Sequence, residues 1–375
     1  MSLRIIGNSN LKICPVGQGT LFGRSSRKID DETISNKIKV LEYGLDLGMN
    51  FIDTGEDYEK GLSEKLLNKV IKNKRQKAII GSKFKPSNNS YKGVLNSIEG
   101  TLKRIGTDYI DLYQIQWPNP NIELEETFKA FEKLVEQGKI LYYGVGNFDL
   151  LRIKEAIRID KLKKFISIQT EYDLFNRHLE NDLKFLEQNN LSVIAYMSLG
   201  KETFNTEERK LLSSLSEKYK KSVRSIVLNW IISHKNVSIL TSSTSLEHTK
   251  ENFLSSSFEL DKKDINDIDL LFRRNVEKID PKDIEVLDYD ESDNAHLIYT
   301  NLEDALNNRH GIKPNAEEIA LEIKTTGKLL RPIELKLNDN KNSNKPYVLV
   351  RGRMRFWGWI VAYGYDKKIE AKIFK

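Results

Sequence analysis

From residue 12 to about residue 250 short β-branched, apolar runs alternate with amphipathic stretches, and few folds accommodate that pattern. Parallel strands need a crossover between them, and a helix with one apolar stripe is the usual crossover. The strand runs lie near Pro15 to Gly19, then at Asn50–Thr54, Ala78–Ser82, Ile110–Ile115, Ile140–Gly146, Phe165–Gln169, Ser192–Tyr196 and Val237–Leu240. Between them, stretches such as GLSEKLLNKVIKN and LEETFKAFEKLVEQG place apolar residues three and four apart with a polar back. Asp and Ser mark helix starts, and Gly106 and Gly138 mark ends. Eight such units predict a (β/α)₈ TIM barrel, with helices outside and a packed interior.

A barrel of roughly 250 residues leaves about 80 for a second module. After Asn252 comes one more helical pattern, KKDINDIDLLF, and then KIDPKDIEVLDYDESDN, which is acidic and unperiodic. The organisation expected is a barrel over 1–278, a linker over 279–294 and a small α+β module over 295–375. The module reads as helix NAEEIALEIKTTG, strand RPIELKL, turn, strand YVLVRG, helix MRFWGWIVAYG and strand IEAKIF.

Composition removes several functional classes. With 39% hydrophobic and 30% charged residues the chain is globular. Its 60 Lys and Arg are interspersed with 54 Asp and Glu, so the net charge of +6 reads as solvated surface and argues against nucleic-acid binding. The first residues lack the apolar core of a secretory signal, and no stretch approaches the roughly 18 apolar residues of a membrane span. Cys14 is the only cysteine, which excludes an internal disulfide and a Cys-based metal site. A cytoplasmic protein without a metal is expected.

Barrel chemistry sits at C-terminal strand ends, where this chain offers Asp53, Tyr58 just beyond, Lys83, Gln116 and Asn147. A carboxylate beside a lysine keeps the ammonium charged, and that charge beside a phenol lowers the phenol pKa toward neutrality. A tyrosine so placed can protonate a carbonyl oxygen.

The segments FIDTGEDY and IIGSKF resemble those carrying the catalytic Asp, Tyr and Lys of the aldo-keto reductases, matching Asp53, Tyr58 and Lys83. GQGT, GVGNF, IQTEYDLFNR, AYMSLG and EHTKEN extend the resemblance over residues 12 to about 275. It implies an NADP- or NAD-dependent oxidoreductase. Asn147 and Gln169 would hold the nicotinamide carboxamide, Tyr196 would stack on the nicotinamide, and Glu251 and Asn252 would meet the adenine end. Gly19, Thr20, Ser243 and His248 also fall on the cofactor side.

Three departures from the family pattern are visible. Gln116 stands where the family has His, so it can donate a hydrogen bond but carry no proton. Gly146 replaces the usual Ser. Ser242 and His248 stand where many members have Lys and Arg for the 2′-phosphate, so only a weak preference for NADPH over NADH is expected, with Lys250 nearby as a substitute cation.

The last 80 or so residues resemble the ParB/sulfiredoxin-like domain, whose Gly-led basic turn implies nucleotide-phosphate binding by Gly352, Arg353 and Arg355. The same RGRMR stretch also reads as a solvated basic turn in an accessory or homo-oligomerising module. The leading expectation is reduction of a small-molecule carbonyl, or oxidation of the alcohol, with Tyr58 as acid, on a sugar or nucleotide-linked substrate. The alternative is a low-turnover NAD(P)H sensor whose C-terminal module reads a nucleotide or protein partner.

Overall fold

The computed structural model describes residues 3–22, 29–119, 121–200, 204–272, 276–287, 299–308, 315–327, 329, 332–340 and 343–374. Two short strands, β1 (Arg4–Ile5) and β2 (Lys12–Ile13), pair antiparallel ahead of the first barrel strand. The barrel strands are β3 (Val16–Gly19), β4 (Phe51–Asp53), β5 (Ile79–Phe84), β6 (Ile110–Ile115), β7 (Ile140–Gly146), β8 (Phe165–Glu171), β9 (Ser192–Tyr196) and β10 (Val237–Thr241). All eight neighbouring pairs are parallel, and β10 closes onto β3, so the expected (β/α)₈ barrel is the observed one.

Closure buries both faces of every barrel strand, so they carry continuous apolar runs instead of alternation. Around the outside, Phe128 and Phe131 of the helix Leu124–Glu136 cover Tyr143 of β7, with the Phe131 and Tyr143 rings stacked at 4.8 Å. Ile6, Leu11 and Ile13 from the N-terminal hairpin segment join Phe51, Leu112, Ile166 and Ile194 in a separate apolar cluster. Those barrel residues sit toward strand starts, which leaves the opposite mouth for chemistry.

The chain divides into two compact units, Met1–Pro118 with Ile122–Arg273, and Asn119–Asn121 with Arg274–Lys375. The second is built on a five-stranded mixed sheet: β11 (Val276–Ile279), β12 (Ile284–Glu285), β13 (Ile333–Leu337), β14 (Tyr347–Arg351) and β15 (Ile369–Phe374) in the order β11-β15-β13-β14-β12. The predicted helices and the last three strands are present. Helix Ala316–Thr326 packs so closely on Arg353–Tyr363 that a Cβ on Gly358 would lie 2.5 Å from Ile319 Cγ2.

The domain boundary differs from the sequence reading. Residues 276–278, assigned above to the barrel, and 279 with 284–285, assigned to the linker, belong to outer strands of the second sheet; linker residues 288–294 lie outside the described residues. Strands of four and two residues, paired through backbone bonds to a distant partner, leave almost no periodic trace. A chain ending at Phe272 is therefore expected to stay soluble and melt cooperatively by circular dichroism, whereas one ending at Asp280 keeps β11 without β15 and should aggregate more readily. Equal behaviour of the two would show that β11 does not depend on its partner.

Candidate active site

The barrel's C-terminal mouth collects the predicted residues because each lies at or just past the end of a different strand. Asp53 ends β4, Lys83 is next to last in β5, Gln116 and Asn147 follow β6 and β7, Gln169 lies in β8, and Tyr196 ends β9. Lys83 Nζ lies 2.7 Å from both Asp53 carboxylate oxygens and donates to the Thr54 carbonyl at 2.7 Å, with both side chains buried. Gln169 Nε2 donates to Asp53 Oδ1 at 2.9 Å, fixing the carboxylate from the facing strand. The Lys83 ammonium lies 5.1 Å from the centre of the Tyr58 ring.

Tyr58 opens a tight turn, Tyr58–Gly61, in which Glu59 and Lys60 both adopt left-handed backbone (φ 47° and 56°). Such geometry costs a non-glycine residue about 1–3 kcal/mol and persists only where surroundings enforce it. Here Glu59 accepts from the Phe22 amide at 3.1 Å and from the Ser63 hydroxyl. Asn147 (φ 63°) and Met197 (φ 55°), which follows Tyr196, share the same region.

The electrostatics run opposite to the sequence expectation. Burial, then the Asp53 and Asp57 carboxylates, push the Tyr58 phenol well above its ordinary pKa. Lys83 does not bring it down toward neutrality, because Asp53 engages the ammonium while Asp57 and Glu59 add negative charge. The phenol is thus kept in its protonated form.

The Gln116 amide faces the Asp57 carboxylate and, assigned from its hydrogen-bonding surroundings, turns its NH₂ end to it, 3.2 and 3.3 Å from the two oxygens. Its backbone carbonyl accepts from Asn147 Nδ2 at 3.0 Å, and Asn147 Oδ1 accepts from the Tyr196 hydroxyl at 2.7 Å. A Cβ on Gly146 would fall 2.5 Å from that same Gln116 carbonyl, so in this structure the missing side chain is what allows strands β6 and β7 to approach.

Among the residues expected at the adenosine end, Ser243 closes a turn on Ser245, whose side chain caps the helix Leu246–Leu254 by accepting from the His248 amide. Glu251 accepts from the Ser222 hydroxyl. Buried Thr20 Oγ1 and Asn252 Oδ1 have no hydrogen-bond partner among the described residues. Sequence reasoning missed Lys37, a buried lysine whose amine donates to Ser242 Oγ at 2.7 Å and reaches the Leu21 and Ser243 carbonyls at 3.3 and 3.4 Å. Burial pulls its pKa down to about 8. Its place beside Val40, Leu41 and Gly44 on the apolar stripe of Asp31–Leu47 was the available signal. Asp57 was missed too, as an ordinary exposed acid.

The second unit places its basic turn differently from the nucleotide-cradle expectation. Gly352 caps Arg353–Tyr363 in left-handed conformation (φ 98°), but Arg353 is buried and Arg355 Nη1 donates to the Pro332 carbonyl at 2.6 Å. Arg355 is thereby engaged within the unit. Among the described residues, Glu180, His234 and Asp269 could together offer metal ligands, yet Arg177 Nε and Nη2 sit 2.6 Å from Glu180 and Asp269, which fills the group with a guanidinium. No described helix is long and apolar enough to cross a membrane.

Known proteins agree with the barrel. The chain is 30% identical over 260 residues to methylglyoxal reductase YeaE of Escherichia coli, covering 68% of this chain and 89% of the relative. A thermostable aldo-keto reductase, Tm1743, solved with the inhibitor epalrestat, superposes with a TM-score of 0.69 at 31% identity, over 72% of this chain and all of that one. An aldo/keto reductase from Klebsiella pneumoniae, solved with NADP and acetate, gives 0.67 at 26% identity, over 72% of this chain and 96% of its own. The sequence pattern of the aldo/keto reductase family matches residues 15–272, the span that builds the barrel and brings Asp53, Tyr58 and Lys83 together, and the chain belongs to that family.

Proposed function

We propose that the protein reduces a small carbonyl compound with a reduced nicotinamide dinucleotide, Tyr58 delivering the proton. The observation that carries this reading is the buried Asp53–Lys83 pair beneath a Tyr58 ring whose phenol is kept protonated. The dinucleotide, when bound, supplies the hydride. The residues fit it: Thr20 and Asn252 offer buried oxygens without protein partners, and Asn147 and Gln169 present amides at the strand ends beside Tyr196. Tyr58 donates its proton to the carbonyl oxygen, and Lys83 and Asp53 hold the ring in place as it does so.

Lys37 spends its three donors on Ser242, Leu21 and Ser243, and so offers a 2′-phosphate little that is new. A bidentate phosphate contact is worth about 1.5–3 kcal/mol, so without one NADPH is expected to bind less than about tenfold more tightly than NADH. Fluorescence titration with each dinucleotide, followed by turnover on a panel of small aldehydes, checks both statements. No binding of either at millimolar concentration would end the oxidoreductase reading, and a hundredfold preference would point to Lys37 or Lys250 as a phosphate-reading cation.

One observation favours a slower protein. The Gln116 amide is engaged by Asp57, so less of its donation reaches a carbonyl oxygen than from an unengaged side chain. A low-turnover dinucleotide sensor is the second reading. The strand–Gly352–helix passage of the second unit supports the ParB/sulfiredoxin likeness, while its inward arginines favour an accessory or self-associating role over nucleotide binding.

A further inference from the structure

Four carboxylates surround Tyr58 in sequence or space: Asp53, Glu56, Asp57 and Glu59. Three are held by hydrogen bonds from the protein. Asp53 is matched by Lys83; Glu56 accepts from the Lys85 amide at 2.9 Å and Asn88 Nδ2 at 2.7 Å; Glu59 accepts from Phe22 and Ser63. Asp57 is exposed at the mouth, and the neutral Gln116 amide is the side chain that faces it. Asp57 directly precedes Tyr58 and faces Gln116, which follows β6 at the barrel mouth, and its charge is among those that raise the Tyr58 pKa.

Resting on the carbonyl-reductase reading, we propose that the Asp57–Gln116 pair determines substrate class: it rejects carbonyl compounds whose adjacent carbon is a carboxylate and accepts those whose adjacent carbon bears a hydrogen-bond donor, a hydroxyl or an ammonium. A substrate carboxylate would meet the Asp57 carboxylate beside the neutral Gln116 amide, and such a like-charge encounter is a repulsive discriminator. A hydroxyl donates to Asp57 and accepts from Gln116, satisfying both partners of the pair. The substrate class is then a 2-hydroxy- or 2-amino-aldehyde, and 2-oxo acids are excluded.

The test uses the full chain with NADPH and two aldehydes of equal size, glycolaldehyde and glyoxylate, which differ in carrying a hydroxymethyl or a carboxylate group. Expected is a kcat/KM ratio of at least about a hundredfold favouring glycolaldehyde, falling by about tenfold or more in Asp57→Asn. Asp57→Ser repeats the measurement should the Asn variant fold poorly. Glyoxylate binding is followed separately by quenching of bound NADPH fluorescence, expected to be absent in the parent and gained in either variant. A parent that takes or binds glyoxylate as readily as glycolaldehyde, or variants that leave the ratio and the binding unchanged, overturns the proposal with the reductase reading intact. Failure to bind NADPH at all removes the reductase reading, and this one with it.

Discussion

Tyr58→Phe is expected to lower turnover by about two to four orders of magnitude, the usual contribution of a positioned general acid, while NADPH affinity and stability stay close to the parent. The hydroxyl makes no hydrogen bond to any described residue, so removing it leaves no buried group unpartnered, and the ring above Lys83 is retained. Single-turnover and steady-state rates with the same aldehyde, beside a fluorescence titration, separate the proton step from binding. Parental turnover in Tyr58→Phe would remove the tyrosine from the mechanism and favour the sensor reading. The raised phenol pKa adds a pH dependence whose sign is opposite to that of a tyrosine tuned to neutrality. The active form is the protonated one, so a pKa above 10 keeps it fully populated, and the parent's reduction rate should be flat from about pH 6 to 9 on this account. A fall centred near pH 7 would mean that Lys83 overcomes the carboxylates around the ring.

What could be read from the sequence was whatever leaves a periodic or ordered trace. Parallel barrel strands are apolar on both faces and each is followed by an amphipathic helix, so eight of them were identifiable to within a few residues. The order in which Asp53, Tyr58, Lys83 and Gln116 appear carried the site in the same way, because a barrel converts order along the chain into neighbours around a ring. Contacts made across that order were invisible. Nothing along the chain pairs Asp57 with Gln116, or Lys37 with Ser242, since each joins residues from separate βα units. The sign of the Tyr58 shift was misjudged for the same reason: Lys83 was visible beside it, but the full engagement of that lysine by Asp53 and Thr54 was not. Strands β11 and β12 were missed because their pairing with β15 and β14 depends on backbone bonds, to which side-chain pattern contributes little.

Lys83→Met should harm the protein in two separable ways. It strands the Asp53 carboxylate in a buried site with only Gln169 donating to it, and leaving one partner of a buried pair uncompensated costs about 3–5 kcal/mol. For a unit of this size that lowers Tm by on the order of 10 °C, readable by calorimetry or circular dichroism. It also removes the ammonium that holds the underside of the Tyr58 ring and leaves Asp53 facing the phenol unscreened, which moves the pKa further up and weakens the acid. Adding Asp53→Asn tells the two apart. The double variant has no buried charge, its new amide oxygen can still accept from Gln169, and most of the lost stability should return. Turnover should not return with it, because the phenol then has neither the cation beneath its ring nor the fixed carboxylate that set the lysine. Recovery of activity in step with stability would reduce the pair to a scaffold, and Tyr58 would then owe its reactivity to the rest of the mouth alone.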